Sequence, residues 1–330
     1  MVRKPARFRH VARALLEDTP KQIRVCNLLR GLISIEVREV CSACGDERPR
    51  LQPKSPMDRP EAQHRYAIRG GEEGKNRLDL LARVMLPTTV QLLDRVGLSR
   101  GTKCLDVGCG GGHVALLMAG IVGPEGRVIG TDTDTKILAL ARKDAEAANV
   151  RNVEFQQVDA CVCMCQEEFD LVYARFLLSH LSQPEICLAA MVEACRPGGI
   201  MVIEDTDFSG SLCYPTCAAY ERYKELYHKV VQRRGGDPDI GPKLPAMLRR
   251  AGIQAVELNV IQPAHIHGEG KLMAPITMSR ISGAVTAEGL ATEDEVQQIL
   301  TELNEAAANC ETVMSLPRIF QVWGKRANGN

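Results

Sequence analysis

The sequence predicts a doubly wound α/β fold on a mostly parallel sheet, and three observations support this prediction. The strand-like run Cys104–Val107 leads into four glycines within the five residues Gly108–Gly112, and a helix-like run starts at His113. A strand, a glycine turn and a helix start form the nucleotide-binding corner of such sheets. Strand-like and helix-like runs then alternate up to Asp205. The run 168–175 is largely apolar, as expected for a strand buried on both faces.

Seven strands are expected from the apolar runs and the turn signals between them. They cover Cys104–Val107, Arg127–Asp132, Val153–Ala160, Glu168–Arg175, Ile200–Asp205, Ala255–Ile261 and Pro317–Gly324. Helical periodicity and capping signals predict helices outside these runs. They cover Leu78–Val96, His113 to Gly120 or Gly123, Thr135–Ala148, Pro184–Cys195, Pro242–Ala251 and Glu293–Ala308. Arg196–Gly199 is expected to form a turn before the fifth strand.

Two additions to the sheet follow from composition and spacing. Residues 1–56 hold 12 Lys/Arg against 6 Asp/Glu, which indicates a basic N-terminal extension. We interpret it as poorly ordered, with an organellar targeting segment as the alternative. The domain proper is expected to cover residues 57–330. Within it, residues 208–250 form a helical insertion before the sixth strand, and a long connection joins the sixth strand to the seventh.

Composition excludes some classes of function. The chain has 330 residues with 41 basic and 41 acidic side chains, so its neutral balance gives no support for a nucleic-acid partner. No run approaches the roughly 18 to 20 apolar residues that span a bilayer. The 13 cysteines lack a preceding secretory leader, and several lie in strand-like or helix-like runs. They are expected to be buried thiols in a reducing cytoplasm.

No metal site is predicted. Cys41 and Cys44 form a single CxxC without a second pair, and Cys161, Cys163 and Cys165 form a CxCxC, whereas structural zinc sites carry paired knuckles. His265, His267 and Glu269 form a third cluster, for which a solvated loop is the simpler interpretation.

The charge and spacing of the glycine loop select its ligand. A dinucleotide fingerprint needs a glycine at the sixth position from Gly108, where this chain has His113. Asp106, two residues before the loop, would repel a pyrophosphate but attract an ammonium or sulfonium group. S-adenosylmethionine (SAM) carries both cations and no phosphate. The loop therefore favours SAM over a nicotinamide dinucleotide.

The pattern Asp-x-Gly-x-Gly-x-Gly from Asp106 to Gly112 resembles the first motif of class I SAM-dependent methyltransferases. Four motifs in order, between Tyr66 and Asp205, resemble the small-molecule branch that includes the ubiquinone and menaquinone methyltransferases. The resemblance implies a Rossmann-like methyltransferase fold with a seven-stranded, mostly parallel sheet, and SAM as the cofactor. In this family the helix before the first strand commonly closes over the cofactor, so the resemblance implies that Tyr66, Arg69 and Arg77 lie near it, with a solvated helix face as the alternative for the arginines.

Ten residues are expected at the cofactor. Asp132 lies about twenty residues past the loop, where adenosine-binding α/β folds place a carboxylate for the ribose hydroxyls; a helix-capping role is compatible with this contact. The resemblance implies that Asp159 accepts from the adenine amine, with a turn-forming role as the alternative. The full set is Asp106, Gly108, Cys109, Gly110, Gly112, Asp132, Thr133, Asp159, Ala160 and Arg175.

The acceptor is less well defined by the sequence. Residues 174–177 lack the prolines of DNA and glutamine N-methyltransferases, which favours transfer to oxygen or carbon of a small aromatic, quinone-like or polyketide-like molecule. His180 and Asp205 are the candidate catalytic groups, because each follows a strand at the functional edge of the sheet. Asp207 is a further carboxylate there, without a complete acidic ligand set for Mg²⁺. Tyr214, Tyr220 and Tyr223 are candidate acceptor contacts, or alternatively packing residues of the insertion. The spacing of Tyr220, Tyr223 and Tyr227 predicts that they share one face of a helix, which ends before Arg233–Pro238.

Three other functions stay open at this point. The cysteine content suggests arsenite methylation, although the positions typical of that family are not matched. A nicotinamide-dependent oxidoreductase is disfavoured by Asp106 and His113. A SAM-binding module without catalysis, acting as an assembly partner, would show the same cofactor motifs. The sequence does not define the oligomeric state.

Overall fold

The structure is a computed structural model that describes residues 71–161 and 169–328. The N-terminal extension 1–56, Tyr66 and Arg69, and the cysteines at positions 41, 44, 163 and 165 lie outside the described residues. Within them the chain forms the predicted mostly parallel sheet of seven strands with helices on both faces.

The sheet strands lie close to their predicted positions. They are β1 Lys103–Val107, β2 Arg127–Asp132, β3 Val153–Gln157, β4 Phe169–Arg175, β5 Cys195–Asp207, β7 Ile253–Ile261 and β10 Arg318–Arg326. A second sheet contains β6 Cys213–Tyr214, β8 Ala264–His265 and β9 Val313–Ser315. The helices are α1 Gly71–Arg95, α2 His113–Val122, α3 Thr135–Ala147, α4 Pro184–Ala194, α5 Ala218–Arg233, α6 Leu244–Arg250, α7 Met273–Ala287 and α8 Glu293–Ala308.

The strand order of the large sheet creates a crevice at its centre. The order is β3-β2-β1-β4-β5-β10-β7, and β10 runs antiparallel to both of its neighbours. The chain moves outward from β1 through β2 to β3 and then returns to place β4 on the other side of β1. Ligands of doubly wound sheets bind at such a switch point, beyond the carboxyl ends of the strands. The loop after β1 and the segment after β4 meet there.

Alternating side chains along the strands build one apolar core on each face of the sheet. On one face, Cys104 and Leu171 pack with residues of α1, α2 and α3. On the other face, Leu105 and Val172 pack with residues of α4 and α6. Burial on both faces explains why the central strands are nearly continuous apolar runs.

The helical insertion has an aromatic core of its own. Helix α5 packs against α7 and α8, and its buried face meets Phe208, which follows β5. The Tyr227 ring stacks on the Phe208 ring with centroids 3.9 Å apart, and the Tyr223 ring meets Phe208 edge-on at 5.7 Å. The tyrosine spacing in the sequence therefore marks the face by which α5 is held to the rest of the domain.

Several details differ from the predicted elements. Arg196–Gly199 lies within β5 as an irregularity of the strand, with Gly198 in the left-handed region at φ 72°, and is not a separate turn. Asp134, and not Asp132, caps α3 by accepting from the Lys136 and Ile137 N–H groups. Helix α7 and the small β6-β9-β8 sheet were not predicted. The predicted cap of α8 is confirmed, since Thr292 Oγ1 accepts from the Glu295 N–H at 3.1 Å.

A row of polar side chains crosses the sheet beneath α1. Tyr173 on β4 donates its hydroxyl to Glu204 Oε1 on β5, and Gln321 on β10 donates to Glu204 Oε2 at 2.8 Å. Asn259 on β7 donates to Gln321 Oε1 at 2.7 Å. Glu204 is fully buried. Its carboxylate is tolerated there because neighbouring strands supply a donor to each of its oxygens.

Removing one donor of this row is expected to destabilise the domain. Tyr173→Phe leaves Glu204 Oε1 without its tyrosine donor, so the free energy of unfolding should fall by about 1–3 kcal/mol. Urea denaturation followed by circular dichroism measures the change. Tyr214→Phe, at a residue 69% exposed, is the control and should unfold like the wild type. An unchanged midpoint for Tyr173→Phe would contradict this account of the row.

Candidate functional site

The glycine loop after β1 is held in a conformation that needs glycine. Gly112 has φ 76°, and a Cβ atom built there would lie 2.6 Å from the Phe155 ring of β3. Gly108 has φ 69°, and its Cβ would lie 2.9 Å from the side chain of Leu177, which follows β4. Both strain and space therefore exclude larger residues. The loop lies against the two segments that flank the switch point.

Asp132, at the end of β2, is bound to this loop. Its Oδ2 accepts from the Gly110 N–H at 2.9 Å, and its Oδ1 accepts from the Asp134 N–H at 3.0 Å. Burial raises the pKa of this half-buried carboxyl group, and the backbone N–H groups of Asp134, Gly110 and Thr133 partly offset that effect. A carboxylate offers about four lone-pair sites, so Asp132 can accept from a ligand in addition to these backbone donors. Asp132 thus keeps acceptor capacity for the ribose contact that the sequence predicts.

Asp106 on β1 is a buried acid with unused acceptor capacity. Its side chain is 2% exposed, and its Oδ2 has no hydrogen-bond partner among the described residues. Burial raises its pKa to about 7, opposed by the positive charge of Arg175 and by the Ala115 N–H. Leaving such an oxygen unsatisfied is costly unless a ligand supplies the donor. A ligand with a cationic donor fits this residue, whereas a phosphate does not.

Helix α1 closes over the glycine loop, as the sequence predicted for the helix before the first strand. Asp79 lies 2.7 Å from His113 Nε2 at the start of α2, and Lys75 forms ion pairs with Asp79 and, at 2.9 Å, with Asp144 of α3. The side chain of Leu78 lies against Gly110. The contact between His113 and Asp79 was not predicted from the sequence, where His113 only marked the position of a missing glycine.

The other predicted cofactor residues differ in their surroundings. Asp159 follows β3, with its Oδ1 accepting from the Cys161 N–H at 2.8 Å, and Ala160 packs into the core below. Cys109 lies behind the loop, where burial raises its thiol pKa well above the ordinary value. Thr133 is exposed beside Asp132. Arg175 donates to Thr89 Oγ1 of α1 at 3.0 Å, and its positive charge opposes the rise of the Asp106 pKa.

The turn after β4 brings His180 to the acceptor side of the crevice. Phe176 adopts φ 53°, an uncommon value for a bulky residue, and a short 3₁₀ turn Leu178–His180 follows. Asp205, at the end of β5, fixes this turn: its Oδ2 accepts from the Ser179 N–H at 3.0 Å and its Oδ1 from the Thr206 N–H at 2.8 Å. Backbone strain near a crevice is typical of functional sites.

These contacts change the interpretation of both candidate catalytic groups. Asp205 is fully buried, and burial raises its pKa to about 6 although the Ser179 and Thr206 donors favour its charged form. Its oxygens are engaged by backbone donors, which favours positioning of the turn over proton transfer. Burial, together with the charges of Arg77 and Arg234, lowers the pKa of His180 to about 3. His180 is therefore neutral at physiological pH and a weak base.

The three candidate acceptor tyrosines lie in different environments. Tyr214 is 69% exposed on β6. Tyr220 is fully buried and donates its hydroxyl to the Ser315 carbonyl at 2.9 Å, which is a packing role. Tyr223 is buried on α5, where its hydroxyl bonds with Thr277 and lies within reach of the charge on Arg77. Of the three, Tyr223 is the one that adjoins the crevice through its partners.

Neither the histidine cluster nor the cysteines form a metal site in the part of the chain that the structure describes. Glu269 is engaged by Arg83 of α1 through two hydrogen bonds of 2.8 Å each. His265 packs on Gly270. None of the helices in the same described ranges is long and apolar enough to cross a membrane.

Comparison with known proteins agrees with this geometry. A family model described as a methyltransferase domain matches residues 98–252, from the residues before β1 to the end of α6. Residues 98–252 form a SAM-dependent methyltransferase domain. The match includes the glycine loop, Asp132, Asp159 and His180. The unsatisfied Oδ2 atom of Asp106 and the glycine loop fit SAM, the cofactor of this class.

Individual relatives cover parts of the chain. The demethylmenaquinone methyltransferase of Staphylococcus aureus is 29% identical over 142 residues, which are 43% of this chain and 56% of that protein. The chain thus spans little more than half the length of the curated relatives it matches.

Two solved structures share the fold of the methyltransferase domain. They are the YcgJ protein of Bacillus subtilis, at 19% identity, and a candidate methyltransferase of Bacillus halodurans, at 20%. Each has a TM-score of 0.51 and covers 73% of this chain and 99% of its own.

Asp132→Ala is expected to weaken SAM binding by at least ~1 kcal/mol, about fivefold in the dissociation constant, because charge-assisted hydrogen bonds to the ribose are lost. The variant also frees the Gly110 N–H, so the loop loses an anchor. Isothermal titration calorimetry with S-adenosylhomocysteine measures the effect without turnover. Glu125→Ala, at an exposed residue in the α2–β2 turn, is the control. An unchanged constant for Asp132→Ala would refute this placement of the ribose.

Asp106 makes stability depend on pH in a defined direction. Its folded pKa of about 7 lies above the ordinary carboxyl value, so the folded state holds a proton that the unfolded state has lost. The corresponding contribution of protonated Asp106 to the free energy of unfolding is fully present below about pH 4 and is lost as the pH rises through about 7. Between pH 5 and 8, wild-type cofactor-free protein should lose about 2 kcal/mol relative to Asp106→Asn, which cannot ionise. Urea denaturation at each pH measures the difference. Parallel curves for the two proteins would contradict the raised pKa.

Proposed function

We propose that the chain transfers a methyl group from SAM to an oxygen or carbon atom of a small-molecule acceptor. The observation that carries this proposal is the arrangement of Asp106 and Asp132 on either side of a glycine loop at the switch point of the sheet. Both are acceptors, and Asp106 Oδ2 has no partner among the described residues. A cationic, phosphate-free nucleoside satisfies both carboxylates, and a nicotinamide dinucleotide does not.

The residues divide between holding the cofactor and orienting the acceptor. Asp132 would accept the ribose hydroxyls, Asp159 the adenine amine, and Asp106 a cationic donor of the methionine part. The bound cofactor supplies a methyl group already activated by a sulfonium. The remaining task of the protein is to bring the nucleophile into line and to exclude water. Helix α1 serves this task through its contacts with α2 and α3.

The acceptor side supports transfer with little general-base catalysis. His180 stays neutral at physiological pH because burial and two arginines lower its pKa to about 3. Its imidazole can therefore accept a hydrogen bond from an acceptor but is a poor proton acceptor in the transition state. Asp205 fixes the turn that carries His180. Both residues therefore have a positioning role. Such a site suits an acceptor whose hydroxyl group is already acidic, or one that reacts through a carbon atom.

The similarity to a demethylmenaquinone methyltransferase supports a quinone-like or other aromatic acceptor. The non-catalytic alternative, a SAM-binding assembly module, would leave the crevice as it is but give no product. The test is a mass-spectrometric search for products 14 Da heavier after incubation of an acceptor panel and a cell extract with SAM. A product supports the enzyme, whereas cofactor binding without any product favours the module.

If His180 positions the acceptor, His180→Gln should raise KM more than it lowers kcat, because glutamine keeps a hydrogen-bonding side chain. Any inflection of the wild-type kcat profile between pH 5 and 8 should persist in His180→Gln, since the His180 pKa of about 3 lies far below this range. Steady-state kinetics with the acceptor found in the mass-spectrometric search measures both effects. An inflection near pH 6.5 that disappears in the variant would show that His180 is a general base.

A further inference from the structure

Within the described part of the chain, two arginines near the turn that carries His180 lack a carboxylate partner of their own. Arg77 of α1 donates from Nε to Thr277 Oγ1 of α7 at 3.2 Å, and no carboxylate of the described residues forms an ion pair with it. Arg234, at the end of α5, lies 3.5 Å from Glu288 Oε1. Glu288 is shared with Arg233, whose Nη1 lies 3.6 Å from Oε2. Two guanidinium groups thus share one carboxylate, and Arg77 has none.

Arg234 also has a donor without an acceptor. Its Nη1 atom is buried and has no hydrogen-bond partner among the described residues. A buried donor left unsatisfied costs free energy unless a ligand or water accepts from it. The planar guanidinium group matches a carboxylate, which can accept two parallel hydrogen bonds from it.

The segment that follows Arg234 packs directly on the turn that carries His180. A Cβ atom at Gly236 would lie 2.5 Å from the Ser179 carbonyl oxygen, and the Asp237 N–H donates to the same oxygen at 2.9 Å. Arg77 approaches from α1, through its hydrogen bond with Thr277. The positive charges of both arginines also lower the pKa of His180, which agrees with their being near this turn.

We propose that this region binds a carboxylate of the methyl acceptor, held by Arg234 and Arg77, so that the substrate is an organic acid. The proposal rests on the methyltransferase function proposed above and adds the chemical class of the acceptor. A neutral His180 would then accept a hydrogen bond from a hydroxyl of the same acid. The insertion contributes Arg234 and so contributes directly to acceptor selectivity.

A carboxylate is also present in SAM itself, and the experiment must separate the two sources. The full chain is first saturated with S-adenosylhomocysteine, which places the cofactor carboxylate before any probe is added. The probes are matched acid and amide pairs: benzoate with benzamide, 4-hydroxybenzoate with 4-hydroxybenzamide, and 3-phenylpropionate with its amide. Calorimetry at pH 7.5 gives a dissociation constant for each.

At least one acid is expected to bind ten times more tightly than its amide. Arg234→Gln should weaken that acid at least tenfold and leave the amide and S-adenosylhomocysteine unchanged. Arg233→Gln is the matched control, because Arg233 is 51% exposed and contacts the same Glu288; it should bind the acid like the wild type. Unchanged cofactor binding by both variants shows that they fold.

Three results would overturn the proposal. The first is that no acid binds better than its amide. The second is that Arg234→Gln binds the acid like the wild type. The third is that Arg77→Gln weakens the binding of S-adenosylhomocysteine tenfold while acid binding persists, which would assign Arg77 to the cofactor carboxylate. A wild-type protein that does not bind S-adenosylhomocysteine would instead refute the methyltransferase function itself, so the two failures are distinguishable.

Discussion

The hydrogen bond from the Gly110 N–H to Asp132 Oδ2 is the constraint on which the site depends. It ties the loop after β1 to the end of β2 and fixes a carboxylate on the rim of the crevice. The left-handed glycines allow the loop to pass close to Phe155 and Leu177. Asp106 then lies below the loop as a buried acid that a ligand must satisfy. Loop shape and acidic charge together select a cationic nucleoside over a dinucleotide.

The acceptor side depends on a second set of contacts. Asp205 holds the turn that carries His180, and the insertion packs on that turn through Gly236. Helix α1 reaches both sides, because Asp79 contacts His113 near the loop and Arg77 contacts Thr277 of α7, which packs on the insertion helix α5. A movement of α1 would therefore affect cofactor and acceptor binding together. The same helix supplies Arg77, one of the two arginines proposed to bind the acceptor.

The sequence predicted the parts of the fold whose signals are local. The glycine spacing placed β1, the loop and α2, and Thr292 placed the start of α8, because caps and turns depend on neighbouring residues. Helix α7 was missed: it contains Pro275 and Gly283, and its buried face is defined by packing on α1, α5 and α8. The roles of His180 and Asp205 were also beyond the sequence, since Arg77, Arg234 and Ser179 set their surroundings from distant elements. The tyrosine spacing predicted a helix face but not its partner, Phe208.

Calorimetric titration of the cofactor-free full chain with SAM and, separately, with NADH tests the central claim most directly. The account predicts micromolar binding of SAM and no detectable heat for NADH, because Asp106 and Asp132 attract the cation and repel the pyrophosphate. Saturable binding of NADH, or the absence of SAM binding by the folded chain, would contradict it.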